Sequence, residues 1–140
     1  MANALYPKYK EKLLNPGTLG STSGTAVDLS DDTIKVALID TGTYTYNSAH
    51  EFYSDLSGVV GTPQTLASKT VTNGVFDAAD LVFTSVTGSS VEAYVIYKDT
   101  GTTTTSSLIA YFDTAAAGLP FTPNGGNLTI QWNASGIFSL

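Results

Sequence analysis

The apolar residues of this chain come in short runs that alternate with polar ones, and most runs stop at Gly, Asn, Asp or Pro. From Asp32 the period is two. Ile34, Val36 and Leu38 alternate with Thr33, Lys35 and Ala37, and after a bend at Gly42 the residues Tyr44 and Tyr46 share one strand face. Asn73-Gly74 lies between two strand-like runs in "TLASKTVTNGVFDAADLVFTSV", the strongest short-range hairpin signal. "SVEAYVIYKDTGTTTTSSLIAYFDT" predicts a second hairpin, and "GLPFTPNGGNLTIQWNASGIFSL" predicts a turn followed by short strands at 128–132 and 137–140. Six or seven closely spaced strands imply an all-β chain, an antiparallel β-sandwich or jelly-roll-like domain. The 21 threonines and 14 serines favour the same class over helices.

Two stretches depart from this pattern. Residues 5–14 predict a short N-terminal helix: Pro7 suits a first helical position, Leu5, Tyr9 and Leu13 are spaced by four, and "NPG" stops it. So short a helix must dock its apolar stripe, either on its own sheet or on another subunit. The small polar residues of "GTLGSTSGTAVDLS" read as a linker or surface loop. The organisation is therefore an arm at 1–16, a linker or loop at 17–30 and a β-sandwich at 31–140. "NSAHEFYSDLSG" predicts one small covering helix, with Ser48 and Glu51 in capping-box spacing and Gly58 past its end.

Composition narrows the function. The six basic residues are all lysine, three of them in the arm, so the rest of the chain sets three lysines against eleven carboxylates. Such a surface is unsuited to nucleic acid, which needs clustered basic groups. Without cysteine there is neither a thiol nucleophile nor a thiolate metal site. No run approaches the roughly 20 apolar residues of a membrane span, and "MANALYPKYKEKLL" lacks the apolar centre of a signal peptide. The expected partners therefore include neither nucleic acid nor membrane, and synthesis in the cytoplasm is expected.

"KVALIDTGTYTY" is the stretch that points to chemistry, because an apolar strand ending in Asp-Thr-Gly is how an aspartic-protease strand reads. A second Asp-Thr-Gly begins at Asp99. Catalysis would require two such carboxylates face to face, one of them protonated. Asp99 follows Tyr97 and Lys98 within a tight hairpin, so the two motifs are not copies. Turn chemistry accounts for both: Asp accepts from the amide two residues on, and Gly permits the tight connection. A dimeric protease using Asp40 is the remote alternative.

The other constellations are weaker. His50 is the only histidine, and Asp28, Asp31 and Asp32 lack the spacing of a calcium loop. "PNGGN" reads as a turn, and the two glycosylation sequons at Asn127 and Asn133 are read as accidental. Trp132 with Tyr44, Tyr46, Tyr94, Tyr97 and Tyr111 offers either a sugar-stacking platform or core. No catalytic residue, cofactor or metal ligand is assigned.

In order along the chain, "MANALYPKYKEKLL", "DDTIKVALIDTGTYTYNSAHEF", "LASKTVTNGVFDAADLVFTSV", "EAYVIYKDTG", "SLIAYFDT", "GLPFTPNGGNLTIQW" and "IFSL" resemble a family of small structural proteins of tailed-bacteriophage virions. The resemblance implies assembly rather than catalysis. An acidic body kept off packaged DNA belongs outside the shell. The expectation is a capsid decoration, or cement, protein on the outer surface of the virion, bound to the major capsid protein and to copies of itself. Leu5, Tyr6, Tyr9, Leu13 and Leu14 of the arm form the candidate capsid or subunit interface. A tail or fibre component binding host-surface carbohydrate is the alternative.

Overall fold

The computed structural model describes residues 3–14, 26–114, 116 and 118–140. The "NPG" stop and residues 17–25 of the expected linker lie outside them. In chain order the elements are β1 (Ala4–Leu5), α1 (Pro7–Leu14), β2 (Ile34–Ile39), a 3-10 turn (Tyr53–Asp55), β3 (Val59–Thr65), β4 (Thr70–Thr72), β5 (Val75–Asp77), β6 (Leu81–Phe83), β7 (Ala93–Lys98), β8 (Leu108–Phe112), β9 (Leu128–Ile130) and β10 (Phe138–Ser139). The fold is all-β and sandwich-like, with ten short strands among the described residues where the periodicity suggested six or seven.

The main sheet runs β1-β8-β7-β2-β3 and is antiparallel throughout. Its inner strands, "IKVALI", "AYVIYK" and "LIAYF", are almost wholly buried, so the sheet is covered on both faces. Alternation along β7 sends Tyr97 to one face, where it meets Tyr53 at 4.7 Å, and Tyr94 to the other, where Trp132 packs edge-on at 5.6 Å. One cover is thus the segment after β2. The other includes Trp132, just past β9, and the remaining strands pair in two small sheets, β10-β5-β4 and β6-β9.

Several local expectations hold. The Asn73-Gly74 turn joins β4 to β5 with both residues at positive φ, 52° and 77°, as a type I′ hairpin requires. The second hairpin pairs β7 with β8. Others do not. The chain leaves the sheet at Asp40, whose carbonyl accepts from the Thr43 and Tyr44 amides, so Tyr44 and Tyr46 are not on a strand. The expected covering helix is only the single 3-10 turn. Glu51 is drawn into an ion pair with Lys12 instead of a cap with Ser48, and the Asp55 carboxylate accepts the amides of Glu51 and Phe52 at 2.8 and 3.0 Å. β3 was hidden by its own Gly61 and Pro63. Pro63 is tolerated because β3 is an edge strand.

The N-terminal segment forms the expected short helix, α1, and of the two partners left open for it, its own sheet is the one it takes. β1 is a strand of the main sheet, pairing Ala4 with Tyr111 and Leu5 with Ala110. The Tyr6 amide continues that pairing to the Ile109 carbonyl at 2.9 Å. Tyr6 and Tyr9 are both fully buried in the common core. Residues 4–14 are therefore part of the sandwich rather than an arm beside it.

Gly136 shows how tightly β10 is seated. It has φ +103°, and a Cβ there would lie 2.3 Å from Val75 Cγ1. Gly136→Ala is expected to lower stability by about 2–3 kcal/mol through backbone strain and overpacking. Urea denaturation measures this.

Candidate functional site

Asp40 and Asp99 lie far apart within the chain. Ile34 pairs with Lys98 and Ile39 with Ala93, so Asp40 continues past one end of the β2-β7 pair and Asp99 past the other. About six residues of strand, roughly 20 Å, separate them. Each carboxylate closes its own turn: Asp40 Oδ1 accepts the Gly42 amide at 2.8 Å, and Asp99 Oδ1 accepts the Gly101 amide at 2.9 Å. Asp40 Oδ2 also takes the Thr43 hydroxyl, while Asp99 Oδ2 pairs with Lys35 at 2.6 Å. The Lys35 contact, the Gly101 amide and the Ser106 hydroxyl hold the Asp99 carboxyl below its ordinary pKa, against partial burial.

The residues expected at an interface divide in two. Tyr6 and Tyr9 are interior, and Leu5 is half-buried against the core. At the end of α1, Leu13 is 38% and Leu14 88% exposed. Of the five residues, only these two are exposed; Lys10 and Glu11 share the outward face of the helix. The interior half carries polar chemistry: the Tyr6 hydroxyl bonds the Tyr44 hydroxyl at 2.9 Å, and the latter bonds His50 Nδ1 at 2.9 Å. His50 is thus engaged in a hydrogen bond within its own chain. Lys12 is buried. It donates to Ser107 Oγ at 2.9 Å, sits 3.2 Å from Glu51 Oε1 as an ion pair outside hydrogen-bond geometry, and lies 4.8 Å from the centre of the Phe52 ring. This buried pair was not legible in the sequence, where its partners stand far apart.

The aromatic residues form separate clusters rather than one platform. Tyr94, Phe112 and Trp132 form one, with the indole Nε1 donating to the Ala79 carbonyl at 3.1 Å. Tyr6, Tyr44, Tyr46 and Tyr111 form another, and Tyr53 with Tyr97 a third. All of the expected platform except Tyr46 is buried.

Burial raises these phenols. It pushes Tyr9 up to about 12 and raises Tyr6, Tyr44, Tyr46, Tyr53, Tyr97 and Tyr111 as well, with Asp113 adding to the effect on Tyr111. Above about pH 10 the unfolded chain releases phenolic protons that the fold retains, so the unfolded state binds fewer protons and stability falls as pH rises. Below that pH the contribution is fully present. The expected result is a stability plateau below pH 10, then a loss approaching 1.4 kcal/mol per pH unit for each retained proton. Tyrosinate absorbance should rise together with the loss of ellipticity.

The remaining motifs serve structure. Asp28 Oδ1 gathers the Ser30 hydroxyl and the amides of Ser30 and Asp31, which keeps its carboxyl below the ordinary range. Asp32 Oδ2 pairs with Lys98. Among the described residues no group of three or more His, Cys, Asp or Glu could hold a metal ion. The Asn124 side chain closes the "PNGGN" turn on the Gly126 amide. Asn127 and Asn133 likewise cap the amides of Ser85 and Ser135. No described helix is long and apolar enough to cross a membrane. No protein-family model matches the chain, and no curated protein matches its sequence.

Proposed function

We propose that this chain is a non-enzymatic structural protein of a bacteriophage virion, and specifically a capsid decoration protein that binds the outside of the major capsid shell and stabilises it. The observation that carries the reading is how its few cations are used. Lys8, Lys12, Lys35 and Lys98 pair with the protein's own carboxylates, and Lys69 donates to the Asp32 carbonyl. The surface left to partners is acidic, which disfavours packaged DNA and favours a station outside the shell. The apolar end of α1 at Leu13 and Leu14 supplies a contact, and many weak contacts repeated around a symmetric particle add up to firm attachment.

Co-sedimentation with capsids that lack the protein tests this. Wild type is expected to pellet with the capsids. Leu14→Asp should keep its unfolding midpoint, since an exposed side chain changes stability by about 0.5 kcal/mol or less. Its occupancy should nevertheless fall several-fold. Wild type that stays in the supernatant contradicts the proposal.

One cleft favours the second reading, a tail or fibre component that binds host-surface carbohydrate. It measures about 230 Å3 and is lined by Tyr94, Phe112 and Trp132 with the amides of Asn3, Gln131 and Asn133. Aromatic rings beside amides suit a sugar. Saturable binding on a glycan array, without capsid binding, would select it.

A further inference from the structure

Strand order brings three chain segments to one end of the main sheet. Thr41 follows β2, Glu92 precedes β7 and Asp113 follows β8, and these strands are antiparallel neighbours. The segment after β2 then folds Tyr44 and Tyr46 over Tyr111. Between them opens a cleft of about 320 Å3.

The walls of this cleft are held in place. Tyr46 lies 5.2 Å from the Tyr6 ring and 5.3 Å from the Tyr111 ring. Glu92 Oε2 accepts the Thr41 amide at 3.0 Å and the Thr41 hydroxyl at 3.3 Å, while Oε1 accepts the Ser90 hydroxyl. A carboxylate offers about four acceptor sites, so these three contacts orient it without exhausting it. Among the described residues no lysine pairs with Glu92. A fixed carboxylate beside tyrosine rings suits a cation on an aliphatic stem: the stem covers ring surface, and the head meets the carboxylate and the ring electrons. Because the walls are already ordered, little is lost on binding.

We infer that this cleft takes a lysine or arginine side chain presented by a partner protein. The inference deepens the capsid reading by naming what the shell subunit offers, and it rests on that reading only for the partner's identity.

Titration of the 15N-labelled protein with N-acetyl-lysine amide tests it, with N-acetyl-norleucine amide as the uncharged control. Saturable shifts at residues 41–46, 92 and 111–113 are expected, with Kd about 1–20 mM at low salt. Binding should weaken about threefold or more at 0.5 M NaCl and about fivefold or more in Glu92→Gln, which keeps an acceptor for Thr41. Equal shifts from the norleucine amide, no saturation below about 50 mM, or an unaltered Glu92→Gln would overturn the inference. Capsid co-sedimentation separates the two claims. A wild type that binds the lysine amide but not capsids keeps the cleft and loses the capsid reading, whereas one that binds capsids but not the amide does the reverse.

Discussion

Removing residues 1–14 is expected to abolish cooperative folding. The deletion strips β1 from β8 and takes two fully buried tyrosines out of the core. Truncating a single large buried aromatic typically costs about 3–5 kcal/mol, against a total stability of about 5–15 kcal/mol for an ordinary domain. Tyr9→Ala isolates the effect, and a loss of about 3–5 kcal/mol is expected in urea. Tyr9→Phe should go the other way, because the Tyr9 hydroxyl is buried without a hydrogen-bond partner among the described residues. Deleting that hydroxyl should raise stability by about 1 kcal/mol. A Tyr9→Ala protein within about 1 kcal/mol of wild type would show that α1 is a loosely attached arm after all.

The second large effect is expected at Lys12. Lys12→Met removes the ammonium group but leaves the Glu51 carboxylate, 8% exposed as a residue, without its cation. Breaking a buried pair from one side costs about 3–5 kcal/mol, because the desolvated partner remains charged. The double variant Lys12→Met with Glu51→Leu should recover most of that loss, since an apolar pair of similar volume is often neutral or better. A double-mutant cycle by chemical denaturation measures the coupling. Additive losses would mean that the pair contributes no coupling and that Lys12 matters only through its stem and Ser107.

How much of this could be read from the sequence depended on the range of the interaction. Asn73-Gly74 and the two Asp-Thr-Gly turns were legible because the groups that close them are within a few residues of one another. β2, β7 and β8 were legible from their apolar runs. β3 was not, because Gly61 and Pro63 are poor strand residues and are accepted only where one edge of the strand is left open. The stripe of Leu5, Tyr9 and Leu13 announced a docked face that Leu5 and Tyr9 do occupy and Leu13 does not, without saying what covers it. The answer lies in β8 and in Phe138, whose ring meets that of Tyr9 at 6.4 Å. The Lys12–Glu51 pair and the Glu92 cleft were equally hidden, since both exist only once the strand order is known.

In the proposed role, the N-terminal element of the acidic sandwich is core on its inner side and capsid contact on its outer side. Truncating that element cannot test attachment, because the fold goes with it. Leu14 provides the cleaner handle.

Cryo-electron microscopy of capsids lacking the protein, imaged after the wild-type chain is added back, shows where the protein sits on the particle. A capsid decoration protein gives density on the outer surface over the junctions between major capsid subunits, with the Leu13–Leu14 end of α1 turned toward a neighbouring subunit. Density confined to the tail, or a bare shell at saturating protein, would contradict that reading.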